Sequence, residues 1–145
     1  MSAAEPVLII IADDNPGDRL LAVTALRKGG IDNPVIEVED GQQLLDLLRG
    51  AAPKGRRVVV FLDINMPRMN GIEALAELKA DPSLRRIPVI MLTTSEADID
   101  LIRAYDLGAN SYLSKPVSFA EFLPKMQQLG AYWTRLVTVA VVPGS

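Results

Sequence analysis

The chain is 145 residues long, 49% apolar and 23% charged, with a net charge of −3, which is room for one ordinary domain with a sizeable core and little for a second. It has no cysteine and no histidine, so disulfides, thiol chemistry, Cys/His zinc sites and imidazole bases are excluded, and any metal would have to be held by oxygen. No basic run stands out to neutralise phosphates, no apolar run reaches membrane-spanning length, and the acidic start MSAAEP lacks a signal pattern, so a cytoplasmic protein with no nucleic-acid and no membrane partner is expected.

Short apolar runs alternate with amphipathic segments along the chain. Val7–Ala12 runs directly into Asp13 and Asp14. Asn15-Pro16 pairs a capping residue with a first-turn proline, which predicts a helix that closes at Gly29-Gly30. Val35–Val38 follows, then helical spacing at Leu44, Leu45 and Leu48. The third run, Val58–Leu62, ends in Asp63, and Asn70-Gly71 opens a helix carrying Leu75 and Leu78. Val89–Leu92 ends in Thr93 and Thr94. Beyond it Ile99, Leu101, Ile102, Tyr105 and Leu107 spread over more than one helix face, which predicts a helix covered by something.

Ser111–Leu113 is the fifth run, and Lys115 follows it in YLSKP. Ser118-Phe119-Ala120-Glu121 fits a capping box for a last helix ending at Trp133, with Pro124 expected to bend it. Branched residues dominate the first, third and fourth runs, as in strands buried on both faces of a parallel sheet. Five βα units predict an α/β domain over residues 1–133 with a doubly wound parallel sheet. The tail RLVTVAVV is strongly β-prone and has no obvious place in a completed sheet. Only Arg135 and Pro143 blunt it, so residues 134–145 are expected either to fold back as a strand or to pair with a second protomer as a dimer arm.

Ligands of open α/β sheets bind beyond the carboxyl ends of the strands. In a 2-1-3-4-5 strand order, Asp13, Asp14, Asp63, Thr93 and Lys115 would converge on one rim. Three clustered carboxylates cannot all ionise without a cation, and magnesium answers that need. A carboxylate can also attack phosphorus to give an aspartyl phosphate, whose charge needs a metal, an ammonium and a hydroxyl around it. Asp63 as nucleophile, Asp13 and Asp14 with magnesium, Lys115 and Thr93 would supply those parts.

The same residues carry a family resemblance. ADDNPGD, FLDINMPRMNG, PVIMLTTS and GANSYLSKPV stand in the order and approximate spacing of the receiver domain of two-component response regulators. The resemblance implies a flavodoxin-like five-stranded sheet and a single-domain switch that is a signalling protein rather than an enzyme. It implies phosphorylation of Asp63 by a histidine kinase. It further implies Mg2+ held by Asp14, Asp63 and the backbone carbonyl of Asn65, with Asp13 acting mostly through coordinated water. Thr93 and Lys115 would contact the phosphoryl group, Tyr112 would be the aromatic reporter of the switch, and Asn65 and Ser95 would flank the site. A cis Lys115–Pro116 bond would aim the ammonium inward.

DNPGD, TTSEADID, YDLGANSYLSKPV and YWTRLVTVAVVP resemble the stand-alone regulators that partner bacterial and cyanobacterial phytochrome kinases. A symmetric homodimer through the fourth helix, fifth strand, last helix and tail is expected. Two readings compete. A magnesium phosphatase would want an aspartate two residues after the nucleophile, where Asn65 stands. A phosphorylation-independent scaffold would normally lack one of the site residues, and all are present.

Overall fold

The computed structural model describes residues 5–93, 98–115 and 118–144, with backbone only at Thr93, Asp98 and Ile99. Five parallel strands form one sheet in the order β2-β1-β3-β4-β5, the expected flavodoxin-like arrangement. The strands are β1 (Leu8–Ala12), β2 (Val35–Val38), β3 (Val58–Leu62), β4 (Val89–Thr93) and β5 (Ser111–Ser114). The helices are α1 (Pro16–Lys28), α2 (Gly41–Arg49), α3 (Gly71–Ala80), α4 (Asp98–Asp106) and α5 (Phe119–Ala131). All residues of β1 and β3 are buried, because helices cover both faces of the two central strands.

Alternation along those strands divides the core. Leu8, Ile10, Val58, Val60 and Leu62 face one way with Leu44, Leu48, Leu75 and Leu78 from α2 and α3. Ile9, Ile11, Val59 and Phe61 face the other with Leu26 from α1 and Phe122 and Met126 from α5. Burying each such side chain contributes about 1.5–3 kcal/mol. α1 and α5 approach closely because Gly130 has no side chain. A Cβ there would lie 2.4 Å from Leu26 Cδ2 and 2.7 Å from Ile31 Cδ1.

The helix caps follow the local sequence. Asn15 Oδ1 accepts from Asp18 N–H at 3.0 Å with Pro16 opening α1, and Gly30 turns away beyond its end with φ 75°. Asn70 and Glu73 form a full capping box on α3, a pairing the Asn70-Gly71 signal alone does not specify. Ser118 Oγ accepts from Glu121 N–H at 3.3 Å, one half of the box expected on α5. The proposed cis bond at Pro116 falls outside the described residues.

The C-terminus departs from the expected pattern. α5 ends at Ala131, two residues short of Trp133, and continues as a π-helical turn over Tyr132–Leu136. Thr134 Oγ1 donates to the Gly130 carbonyl at 2.6 Å, and the Arg135 guanidinium donates to the Gly30 carbonyl at the end of α1. The rest of the tail forms no sheet strand among the described residues. It crosses the amino-terminal edge of the sheet with a single antiparallel bridge between Val141 and Arg57. Arg57 Nε donates to the Val139 carbonyl at 2.9 Å, and Val142 N–H donates to the Arg56 carbonyl at 2.8 Å. Val139 joins the core on one face and Val142 the core on the other. The segment is thus anchored on its own chain, with Leu136 and Val141 left exposed.

Candidate phosphoryl and metal site at the carboxyl rim

Each acidic residue of the rim is placed by a strand end. β1 delivers Asp13 and Asp14, and β3 delivers Asp63. Because β1 and β3 are neighbours in register, Ala12 opposite Leu62, the residues that follow must come together. Carboxylate oxygens of Asp13, Asp14 and Asp63 all lie within 4.8 Å of one another, with Asp13 and Asp63 buried and Asp14 exposed. Such crowding of anions is the donor set of a hard divalent cation.

Local hydrogen bonds fix the two buried carboxylates. Asn15 N–H donates to Asp13 Oδ1 at 2.9 Å, and Ile64 N–H donates to Asp63 Oδ1 at 2.9 Å. Arg19 holds the Asp13 backbone, donating to its carbonyl at 2.7 Å. Lys115, just past β5, brings the compensating charge. Its Nζ is 2.5 Å from Asp13 Oδ2, 3.0 Å from Asp18 Oδ2 and 4.0 Å from Asp63 Oδ2. Burial works against the ammonium, but the bond to Asp13 and the charge of Asp63 outweigh it and hold Lys115 above its ordinary 10.5.

The remaining expected residues are placed as follows. Asn65 lies exposed in the β3–α3 loop and lines a cavity of about 570 Å³ with Ile64, Asn70, Glu73, Asp100 and Arg103. Thr93 ends β4 opposite Ser114 of β5, which puts its backbone on the rim. Its side chain, Thr94 and Ser95 fall outside the described residues. Tyr112 sits mid-β5, half-buried, and lines a cleft of about 460 Å³ with Tyr105 of α4 and Leu129 and Tyr132 at the end of α5.

Three contributors lie outside the expected set. Asp18 is the third carboxylate on the rim's lysine, and its sequence signal is its place one helical turn after Asp14. Asp40 and Arg68 form the other addition. Asp40 caps α2 by accepting from Gln43 N–H at 2.8 Å, is fully buried, and takes an ion pair from Arg68 of the β3–α3 loop. Burial pushes the Asp40 carboxyl up, yet the Gln43 amide and the Arg68 guanidinium hold it below 3.8. Arg68 has φ 62°, in the left-handed region. That backbone turn returns the chain toward α3, where Gly71 N–H donates to the Ile64 carbonyl at 2.8 Å.

The sequence matches the response regulator receiver domain over residues 9–127. Response regulator Rcp1 of Synechocystis sp. is 33% identical, with the alignment covering 92% of this chain and 93% of Rcp1. The crystal structure of the phosphorylated cyanobacterial phytochrome response regulator RcpA superposes with a TM-score of 0.85 at 33% identity, covering 94% of this chain and 99% of that one. The Mn(2+)-bound form of response regulator Rcp1 superposes with a TM-score of 0.84 at 32% identity, covering 94% of this chain and 100% of that one.

Proposed function

The chain belongs to the response regulator receiver family, and from that premise we propose that it is a single-domain two-component response regulator phosphorylated on Asp63. The observation that carries this reading is the assembled rim: three carboxylates within 4.8 Å of one another, and Lys115 Nζ 4.0 Å from Asp63 Oδ2. Receiver domains take phosphate from histidine kinases, and the donor proposed here is a phosphohistidine. The Asp63 carboxylate attacks its phosphorus, the P–N bond breaks as the O–P bond forms, and the imidazole leaves with a proton.

Magnesium bound by Asp14, Asp63 and the Asn65 carbonyl, with Asp13 acting through coordinated water, would neutralise charge on the phosphoryl oxygens. The rim's crowded carboxylates fit that ion. Lys115 takes a phosphoryl oxygen from the other side, and the Thr93 hydroxyl takes a further one. Tyr112, at the wall of the α4–β5–α5 cleft, then reports the inward shift of Thr93 to the exposed face of α4. A few kcal/mol of differential interaction suffices to move such an equilibrium.

Likeness to a phytochrome response regulator supports a phytochrome-type histidine kinase as the donor. We place a homodimer contact across α4 and the end of α5, where Ile102, Tyr105, Tyr132 and Leu136 are each exposed, Tyr105 and Tyr132 line one cleft and Tyr132 and Leu136 another, continued by the tail over residues 134–145. Contiguous apolar exposure of this kind marks an interaction surface. A phosphorylation-independent scaffold would not need the acidic rim and its lysine in one place, and a phosphatase would need an acid where Asn65 stands. No described helix is long and apolar enough to cross a membrane.

Incubation with acetyl phosphate tests the reading by intact mass. One phosphoryl group gained in magnesium, absent with chelator and absent in Asp63→Asn, is expected. No gain from acetyl phosphate or from a histidine kinase would return the chain to the scaffold reading.

A further inference from the structure

Lys115 is held from the α1 side by a carboxylate outside the acidic trio. An ammonium has three protons, and two of them go to Asp13 Oδ2 at 2.5 Å and Asp18 Oδ2 at 3.0 Å. The nitrogen is thereby drawn toward α1 and stops 4.0 Å from Asp63 Oδ2, beyond hydrogen-bond reach. Asp18 is a fixed anchor. Its backbone N–H donates to Asn15 Oδ1 at 3.0 Å, and its carboxylate lies in the first turn of α1, where the helix dipole favours negative charge. Its side chain is 36% exposed against 5% for Asp13. Water can therefore replace Lys115 on Asp18 far more readily than on Asp13.

We propose that Asp18 is a positioning residue that holds Lys115 back from Asp63 and competes with an incoming phosphoryl group for the ammonium. The inference rests on the phosphoacceptor reading of Asp63. In the unphosphorylated chain the Asp18 contact keeps one proton of Lys115 occupied. Phosphoryl transfer calls for that ammonium on the Asp63 side, so the Asp18 contact must stretch or break. Removing the Asp18 charge leaves Lys115 with Asp13 and Asp63 as its remaining carboxylate neighbours among the described residues and brings it forward before the donor arrives.

The test is the initial rate of phosphoryl gain from acetyl phosphate in magnesium, read by intact mass. Four chains form a cycle: wild type, Asp18→Asn, Lys115→Met and the double variant. Asp18→Asn is expected to accelerate the reaction by about two- to fivefold, the size of a partly exposed ion pair. In the Lys115→Met background the acceleration should fall to less than half of that, because no ammonium remains to be released. Asp18→Glu keeps the charge and should stay near the wild-type rate. If Lys115→Met gains no phosphoryl group, Asp18→Asn and Asp18→Glu decide by themselves.

Equal acceleration in both backgrounds would make Asp18 a repelling charge only and overturns the proposal. So does a slower Asp18→Asn, or an Asp18→Glu as fast as Asp18→Asn. A wild type that gains phosphate while Asp18→Asn merely matches it overturns this inference alone. A wild type that gains none, from acetyl phosphate or from a kinase, overturns the function of Asp63 and this inference with it.

Discussion

A Cβ on Gly71 would stand 2.0 Å from the carbonyl oxygen of Asp63 and 2.9 Å from Ile64 Cα. The start of α3 therefore presses on the backbone that presents the proposed phosphoacceptor, and the chain can close there only without a side chain. Backbone cannot rotate aside as a side-chain end can. Gly71→Ala is expected to destabilise the fold by at least about 1–3 kcal/mol, the range of overpacked sites. It should also weaken magnesium binding, since either α3 or the Asp63–Asn65 segment must move. Denaturant unfolding followed by Trp133 fluorescence and a magnesium titration by calorimetry would measure both.

Asp40 and Arg68 tie the start of α2 to the β3–α3 loop. Their link is reinforced by Gly41, whose N–H donates to the Met69 carbonyl at 2.9 Å. Arg68→Ala leaves a buried carboxylate with its amide bonds alone, and a loss of about 1–3 kcal/mol is expected. The Asp40 carboxyl lies below its unfolded value, so its contribution is present above pH 3.8 and is lost as pH falls through the folded value. Arg68→Ala should accordingly move acid unfolding to higher pH. Circular dichroism between pH 2 and 7 would show no such movement if the pair is only a surface contact.

Lys79 gives a pH signature of the same sign in the alkaline range. Its Nζ donates to the Arg85 carbonyl at 2.9 Å and the Ile87 carbonyl at 2.7 Å, and burial lowers its pKa to about 8. Between about 8 and 10.5 the unfolded chain holds a proton that the folded chain has released, so stability rises with pH across that window. Lys79→Met has no such group. The difference in Tm, wild type minus variant, should therefore grow from pH 7 to pH 9.5. A constant difference would mean the ammonium is solvated in the folded chain.

The proposed dimer face makes a prediction about mass. The chain is 15.7 kDa, and light scattering should give twice that for the wild type and a monomer for Ile102→Glu, whose side chain is 60% exposed and unneeded by the core. Truncation after Trp133 removes Val139 and Val142 from the two cores, with a cost on the order of 1.5–3 kcal/mol for each. A truncated chain that stays folded and dimeric would restrict the contact to α4, β5 and α5.

The strands, the helix starts at Asn15 and Asn70, and the residues at the strand ends were legible in the sequence, because periodicity, caps and apolar runs are local signals. Strand order was legible only through the resemblance to receiver domains; the register between β1 and β3 is what brings Asp13, Asp14 and Asp63 within reach. The partners of Lys115 were partly legible. Its approach to the rim follows from its place after β5, but the Asp18 contact depends on how α1 leans over that rim, which no spacing encodes. The Asp40–Arg68 pair, 28 residues apart, and Gly71 against Asp63 are likewise matters of packing. The tail shows the limit most clearly. Its β-prone residues have the composition of a strand, yet no open strand position within the chain receives them, and the two cores exposed at the sheet's amino-terminal edge took Val139 and Val142 instead. Local chemistry decided which elements form and which residues could react; the tertiary structure decided which of them touch, because contact depends on distances through space that the order of residues does not contain.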